Sequence, residues 1–174
     1  MDILKEQKCT MCNSDTLTLT EDEREIPYFG KVYLFAMSCS TCKYRMSDVE
    51  AEQAHDPVKV TVNIETQDDM SIRVVKSSQA TIKIPQLKMS VEPQNGSIGY
   101  ISNIEGLICR FESIIENQKD DEDPDVRKKV KVLLKKLWKV KLGEFPLKII
   151  IEDPSGNSAI ISEKATIEKL KVKK

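Results

Sequence analysis

Residues 9–42 read CTMCNSDTLTLTEDEREIPYFGKVYLFAMSCSTC and carry two Cys-x-x-Cys pairs, Cys9/Cys12 and Cys39/Cys42. Zinc takes four ligands at the corners of a tetrahedron, and thiolates suit it. Each Cys-x-x-Cys turn can present two sulfurs to one ion. Between the pairs, Thr16 to Thr20 alternates Thr and Leu, the period of a half-buried strand. Glu21 to Glu25 reads as a charged turn, Ile26 to Gly30 as a chain reversal, and Val32 to Met37 as a second strand. Two strands that fold back on each other bring the knuckles together, so residues 1–46 are expected to form a zinc ribbon. Asn13 and Lys43 follow the knuckles where left-handed backbone is needed; Asn tolerates it better than Lys. With four protein ligands, no coordination position is left for water, which makes one structural Zn2+ the expectation. So small a unit buries little core, and metal binding is then folding energy. A thioredoxin-like dithiol needs only one such pair at a helix start. An iron–sulfur cluster also uses four cysteines, typically at other spacings.

The rest of the composition narrows the class. The chain has 174 residues, 32% charged and 40% hydrophobic, with a net charge of −1. That is a folded composition with no overall electrostatic pull toward nucleic acid or membrane. No apolar run approaches the roughly 20 residues of a membrane span. Met1 to Lys8 is polar and lacks a signal-peptide core. Clustered cysteines in such a chain point to metal binding in a reducing, cytoplasmic setting. His55 is the single histidine. Metallo-oxygenases need at least two histidines and a carboxylate, so His55 reads as a loop residue and the chain as a non-enzyme without a small-molecule substrate.

Working outward, residues 47–100 read as β: Val58–Ile64 and Ala80–Ile84 alternate cleanly, and Ser71–Lys76 and Leu87–Val91 are further strands. The period then changes. Ser102-Asn-Ile-Glu105 reads as a capping box, followed by Ile104, Leu107, Ile108, Phe111, Ile114 and Ile115 at helical spacing. After an acidic break, Asp123 and Pro124 start a second helix whose stripe is Val126, Val130, Leu133, Leu137 and Val140, ended by Gly143. Leu134 and Trp138 flank that stripe and read as extensions of the core face in preference to an exposed partner contact. Leu147–Ile151 and Ala159–Ile161 return to β, and Lys169–Lys174 reads as a frayed basic tail. The expected fold class is mainly β with an α insertion: a zinc ribbon at 1–46, then a β domain at 47–174 with a helical hairpin inserted at about 102–143.

Three stretches together resemble the ZPR zinc-finger family: the two-knuckle ribbon, Asp69–Ser77 continuing through Ala80–Pro85, and Ile151-Glu-Asp-Pro-Ser-Gly-Asn-Ser158. Ile104-Glu-Gly-Leu107 matches the family's entry into its first helix. The resemblance spans about residues 9–162. It implies that the β domain is a double-stranded β-helix, a jelly-roll-like barrel, in a single-module, archaeal-like member. It also implies a protein partner, translation elongation factor 1-alpha, which members bind and are thought to help fold.

Candidate partner-binding residues follow. Arg73 and Lys76 lie in the second motif and read either as a partner face or as solvated strand charge. Asp153, Ser155 and Asn157 lie in the third, which reads as a binding loop or as a tight turn bonding its own backbone. The second helix carries eight basic residues between Val126 and Leu142, with Lys128, Lys131, Lys135 and Lys139 on the face opposite the apolar stripe. That face suits an acidic protein surface or, as the alternative function, RNA contacted through residues 126–142. Cys109 lies off the apolar stripe and reads as a quiet thiol.

Overall fold

A hairpin of long strands, continued at both edges, carries the knuckles. In the computed structural model, which describes residues 1–26, 30–52 and 55–171, β1 (Asp2–Gln7), β2 (Leu17–Ile26), β3 (Gly30–Cys39) and β4 (Arg45–Ala51) form an antiparallel four-stranded sheet in chain order. The expected reversal at Ile26–Gly30 lies largely outside the described residues. The expected boundary at residue 46 falls within β4, which pairs with β3 from Arg45 to Ala51.

The second unit is a jelly roll of two sheets. Its strands are β5 (Val58–Ile64), β6 (Arg73–Lys76), β7 (Thr81–Ile84), β8 (Met89–Val91), β9 (Tyr100–Asn103), β10 (Leu147–Asp153), β11 (Ala159–Ile161) and β12 (Thr166–Lys169). One sheet has the order β12-β5-β10-β7-β8 and the other β11-β6-β9. Between β9 and β10 are inserted α1 (Ile104–Glu116) and α2 (Pro124–Lys141), packed against each other. The core lies under this insertion. Val60, Val62 and Ile64 of β5, Ile82 and Ile84 of β7, and Leu147, Ile149 and Ile151 of β10 meet Leu107, Ile108 and Phe111 of α1 and Val130, Leu137 and Val140 of α2. β10 alternates buried and half-buried residues from Leu147 to Asp153, so the period of two continues one residue pair beyond its apolar run. α2 starts with Asp123 accepting from Asp125 N (2.8 Å). It stops at Gly143, whose φ of +73° lets Gly143 N reach Val140 O and Glu144 N reach Lys139 O, both at 2.9 Å.

Ribbon and jelly roll are joined by a small apolar seam, Val32 of β3 against Val75 of β6, flanked by Leu34, Val49, Ala51 and Ala159. Gly99 is part of that seam. A Cβ there would lie 2.4 Å from Val49 O and 3.1 Å from Lys76 O, so only glycine lets the two backbones approach.

Several expectations are corrected. Glu21–Glu25 is strand, not turn: β2 pairs with β3 along its whole length. Its charges are accommodated because Arg24 meets Asp22 (2.7 Å) and Lys31 meets Glu23 (2.9 Å). Polar Met1–Lys8 supplies β1, held by backbone pairing to β2. Asn103, not Ser102, caps α1, accepting from Gly106 N at 2.8 Å, because β9 keeps the chain extended through Asn103. Ile114 is 50% and Trp138 is 56% exposed, so neither joins the core. The tail is ordered further than expected: Lys169 pairs with Val58, and Leu170 N donates to Pro57 O (2.9 Å), while residues 172–174 lie outside the described set.

Candidate metal centre and the cleft beside the ribbon

The two knuckles are built alike. Asn13 N donates to Cys9 O (2.9 Å), and Lys43 N donates to Cys39 O (3.1 Å). Asn13 (φ +57°) and Lys43 (φ +62°) both adopt the left-handed backbone the spacing asks for, so lysine accepts the conformation there too. Leu17 and Cys39 are register partners at the base of the hairpin, which sets the knuckles side by side. The sulfurs of Cys9, Cys12, Cys39 and Cys42 all lie within 4.8 Å of one another. Zn–S bonds of about 2.3 Å put sulfurs about 3.8 Å apart along a tetrahedral edge. Cys9 Sγ and Cys42 Sγ are separated by 3.8 Å, and Cys12 Sγ and Cys39 Sγ by 3.7 Å. The donor set therefore fits one zinc ion, with Cys9 and Cys39 buried and Cys12 and Cys42 exposed.

Two hydroxyls that the sequence reading passed over support these ligands. Thr16 Oγ1 is 3.3 Å from Cys39 Sγ, and Ser14 Oγ is 3.0 Å from Cys12 Sγ. The Thr16 hydroxyl and the Cys42 backbone N–H draw the Cys39 thiol well down, and the Ser14 hydroxyl draws Cys12 down. Cys42 goes the other way: the Tyr44 backbone N–H pulls it down, but desolvation and the other sulfurs outweigh that pull. Four thiols so placed do not ionise together unaided; a divalent cation supplies the charge that makes all four thiolates. The signal in the sequence was the pair of hydroxyl residues just after the first knuckle.

The ZPR1 zinc-finger domain model matches residues 3–57, and the ZPR1 jelly-roll domain model matches residues 68–174. The chain belongs to the ZPR1 family. An uncharacterised ZPR1-like protein of Methanocaldococcus jannaschii is 34% identical, with 94% of this chain and 83% of that protein aligned. A ZPR1-like protein of Pyrococcus horikoshii is 36% identical, over 93% of this chain and 75% of that one. The zinc finger chaperone zpr1 of Schizosaccharomyces pombe is 26% identical over 78% of this chain but only 30% of its own length. The ZPR1 fold is thus present once here, against part of a longer eukaryotic chain.

The candidate partner residues of this ZPR1 member fall in three places. Lys76, Ser155 and Asn157 line one cleft of about 200 Å³ between β4 and the jelly roll, with Asp153 directly behind it. Asp153 is fully buried: its Oδ1 accepts from Ser155 N (2.8 Å) and Ser155 Oγ (2.7 Å), and its Oδ2 from Ser158 Oγ (2.6 Å). Ser77 N donates to Ser158 Oγ (3.0 Å), so the second and third motifs are bonded to each other. Asn157 does not bond as a turn residue should; its Oδ1 is buried without a hydrogen-bond partner among the described residues. Lys76 is 5% exposed, which replaces the picture of a solvated strand charge. Arg73 is exposed on the far side of Val75, in a groove of about 610 Å³ walled by Leu34, Ile72, Ile101 and Ile161. Lys131 and Lys135 are exposed on α2. Cys109 is exposed on α1, 3.6 Å from the Lys141 ammonium, which also bonds Glu112 (2.5 Å).

Proposed function

We propose that this chain is a zinc-held protein-binding module that works in the cytoplasm as a folding factor for the translation elongation GTPase, elongation factor 1-alpha, and that it is not an enzyme. The chaperone name of the fission-yeast relative supports a protein partner. The observation that carries the reading is one face of α2. Lys131, Lys135, Trp138 and Leu142 recur at helical spacing and all are exposed. A half-exposed tryptophan ringed by lysines is the composition of an interface anchor for an apolar and acidic surface. The zinc centre's part is to hold the ribbon rigid beside the jelly roll.

The test is direct binding of zinc-loaded protein to the purified elongation GTPase of its own cell, followed by refolding of that GTPase with and without the protein. Tight capture lost in Trp138→Ala supports the reading; absence of capture at micromolar concentrations defeats it. A second reading, RNA binding, draws on Lys128, Lys131 and Lys135, which among the described residues have no carboxylate within 4.0 Å. Binding to RNA that falls steeply with salt, through several phosphate contacts, would favour that alternative.

A further inference from the structure

The ribbon sheet has two faces. Val32, Leu34, Val49 and Ala51 turn toward the jelly roll. The residues that alternate with them point away from it. On that outer face Met37, Phe35 and Tyr33 form a half-buried column along β3. Register sets Leu19 and Met46 beside Met37, Glu21 and Asp48 beside Phe35, and Glu23 and Glu50 beside Tyr33. Asp2 of β1 stands directly across from Glu21. Like charges so placed oppose the pairing of their strands. Asp2, Glu21 and Glu50 are exposed, and among the described residues no cation lies within 4.0 Å of them. Lys31, at the end of the column, is taken up by Glu23 (2.9 Å) and Glu52 (3.6 Å). The face is aromatic at its centre and acidic on both sides.

The outer face of α2 is its complement. Trp138 and Leu142 are exposed there about one turn apart, beside exposed Lys131 and Lys135. Among the described residues neither lysine has a carboxylate within 4.0 Å. The spacings of the two faces also agree. Along the helix axis Lys135 lies ~4.5 Å and Lys131 ~10.5 Å from Trp138. Across the ribbon Glu21 and Asp2 lie one and two strand spacings from Phe35, ~5 and ~10 Å. A helix that crosses the strands with Trp138 on Phe35 therefore carries Lys135 to Glu21 and Lys131 to Asp2. The net charge of −1 sets little long-range repulsion between copies of the chain.

We propose that the outer face of the ribbon docks α2 of a second copy of this chain, Trp138 seating on Phe35 and the two lysines answering the opposed carboxylates. Each copy carries both halves, so the contact is made twice in a two-fold pair. Its charges lie at the surface, which makes it weak and sensitive to salt. One consequence rests on the protein-binding reading above: the pair covers the α2 face until a client displaces the second copy.

The test is sedimentation velocity on the zinc-loaded full chain, from micromolar to near-millimolar protein and at low and high salt. A dimer that forms with rising concentration and weakens with salt is expected. Two charge-reversed chains then identify the faces: Asp2→Lys with Glu21→Lys on the ribbon, and Lys131→Glu with Lys135→Glu on α2. Each alone is expected to associate about tenfold or more weakly than wild type. Mixed in equal amounts they are expected to associate again, because both contacts of the mixed pair are complementary; a variant that had merely lost its fold would not be rescued. Phe35→Ala and Trp138→Ala are expected to weaken the wild-type pair. A monomer at every concentration, or reversed chains that fail to restore each other while both give wild-type amide exchange, would overturn the proposal. So would NMR shifts at Tyr33 and Phe35 on adding a lysine-rich peptide to protein that stays monomeric, which would give the face to another partner. The ribbon reversal leaves α2 untouched, so it is expected to capture the GTPase more tightly than wild type. Capture without self-association defeats this contact alone; self-association without capture defeats only the choice of client.

Discussion

Removing zinc should dissolve the knuckles while leaving the jelly roll folded. The perturbation is quantitative chelation, or Cys39→Ser, which deletes a buried ligand. Two cores of unequal size fix the expectation. The ribbon's own cluster is Cys9, Leu17 and Cys39 with Leu19, Met37 and Tyr44 at its margin, and two of its three buried members are metal ligands. Burying a leucine contributes about 1.5–3 kcal/mol, so this cluster supplies on the order of 5 kcal/mol. A structural zinc site contributes about 10–16 kcal/mol, so the ion outweighs the side chains there. The jelly-roll core, from Val60 to Ile160, contains none of the four ligands. Hydrogen exchange by mass spectrometry on loaded and chelated protein reads this element by element. Residues 9–20 and 37–46 should lose protection by orders of magnitude. Residues around Val32, Val49 and Ala51 should lose less, because the seam to Val75 persists. β5 and β10 should be unchanged. Full knuckle protection after complete zinc removal, or equal loss in β10, would refute the reasoning.

Three further outcomes are expected. Gly99→Ala should cost about 1–3 kcal/mol by overpacking, since its Cβ would meet Val49 O at 2.4 Å, and exchange should rise first in β4. Asp69 is held at about 2: burial pushes it up, but Lys164 at 2.7 Å and the backbone N–H groups of Glu65 and Thr66 outweigh that. A carboxyl depressed in the folded state stabilises fully above its unfolded value, and that stability is lost as pH falls from about 4 to about 2. The difference is about 2 kcal/mol at most, because Lys164 is half exposed. Urea unfolding should therefore show Asp69→Asn weaker than wild type by up to that amount at neutral pH, with the gap closing across this window; zinc loss in acid affects both proteins alike. Trp138→Ala should change stability by no more than about 0.5 kcal/mol, being surface-exposed, while lowering affinity for the partner about tenfold or more; thermal unfolding and binding titration separate the two.

Local chemistry made much of this legible. Thiolate spacing gave the metal centre, because ligand number and turn length are short-range constraints. Period gave β5, β7, β10 and both helices, because their apolar faces are written along the chain, and Asp123 gave the start of α2. The strands that were missed share one cause. β1, the outer half of β2, β9 and β12 are held by backbone pairing to partners distant in sequence, and their side chains are polar or exposed. Trp138 and Ile114 have helical spacing near the stripe but sit beyond the width that the sheet covers.

Residue type at fixed spacing was enough for the zinc site, the order of ribbon, strands, helical hairpin and strands, and the family. The folded chain was needed to show that Lys76 is buried, that Asn157 Oδ1 has no donor among the described residues, and that these residues, 81 apart, line one cleft with the edge of the ribbon. Burial and hydrogen-bond satisfaction depend on what the folded chain places opposite each group, and the seam through Val32, Val75 and Gly99 sets that here.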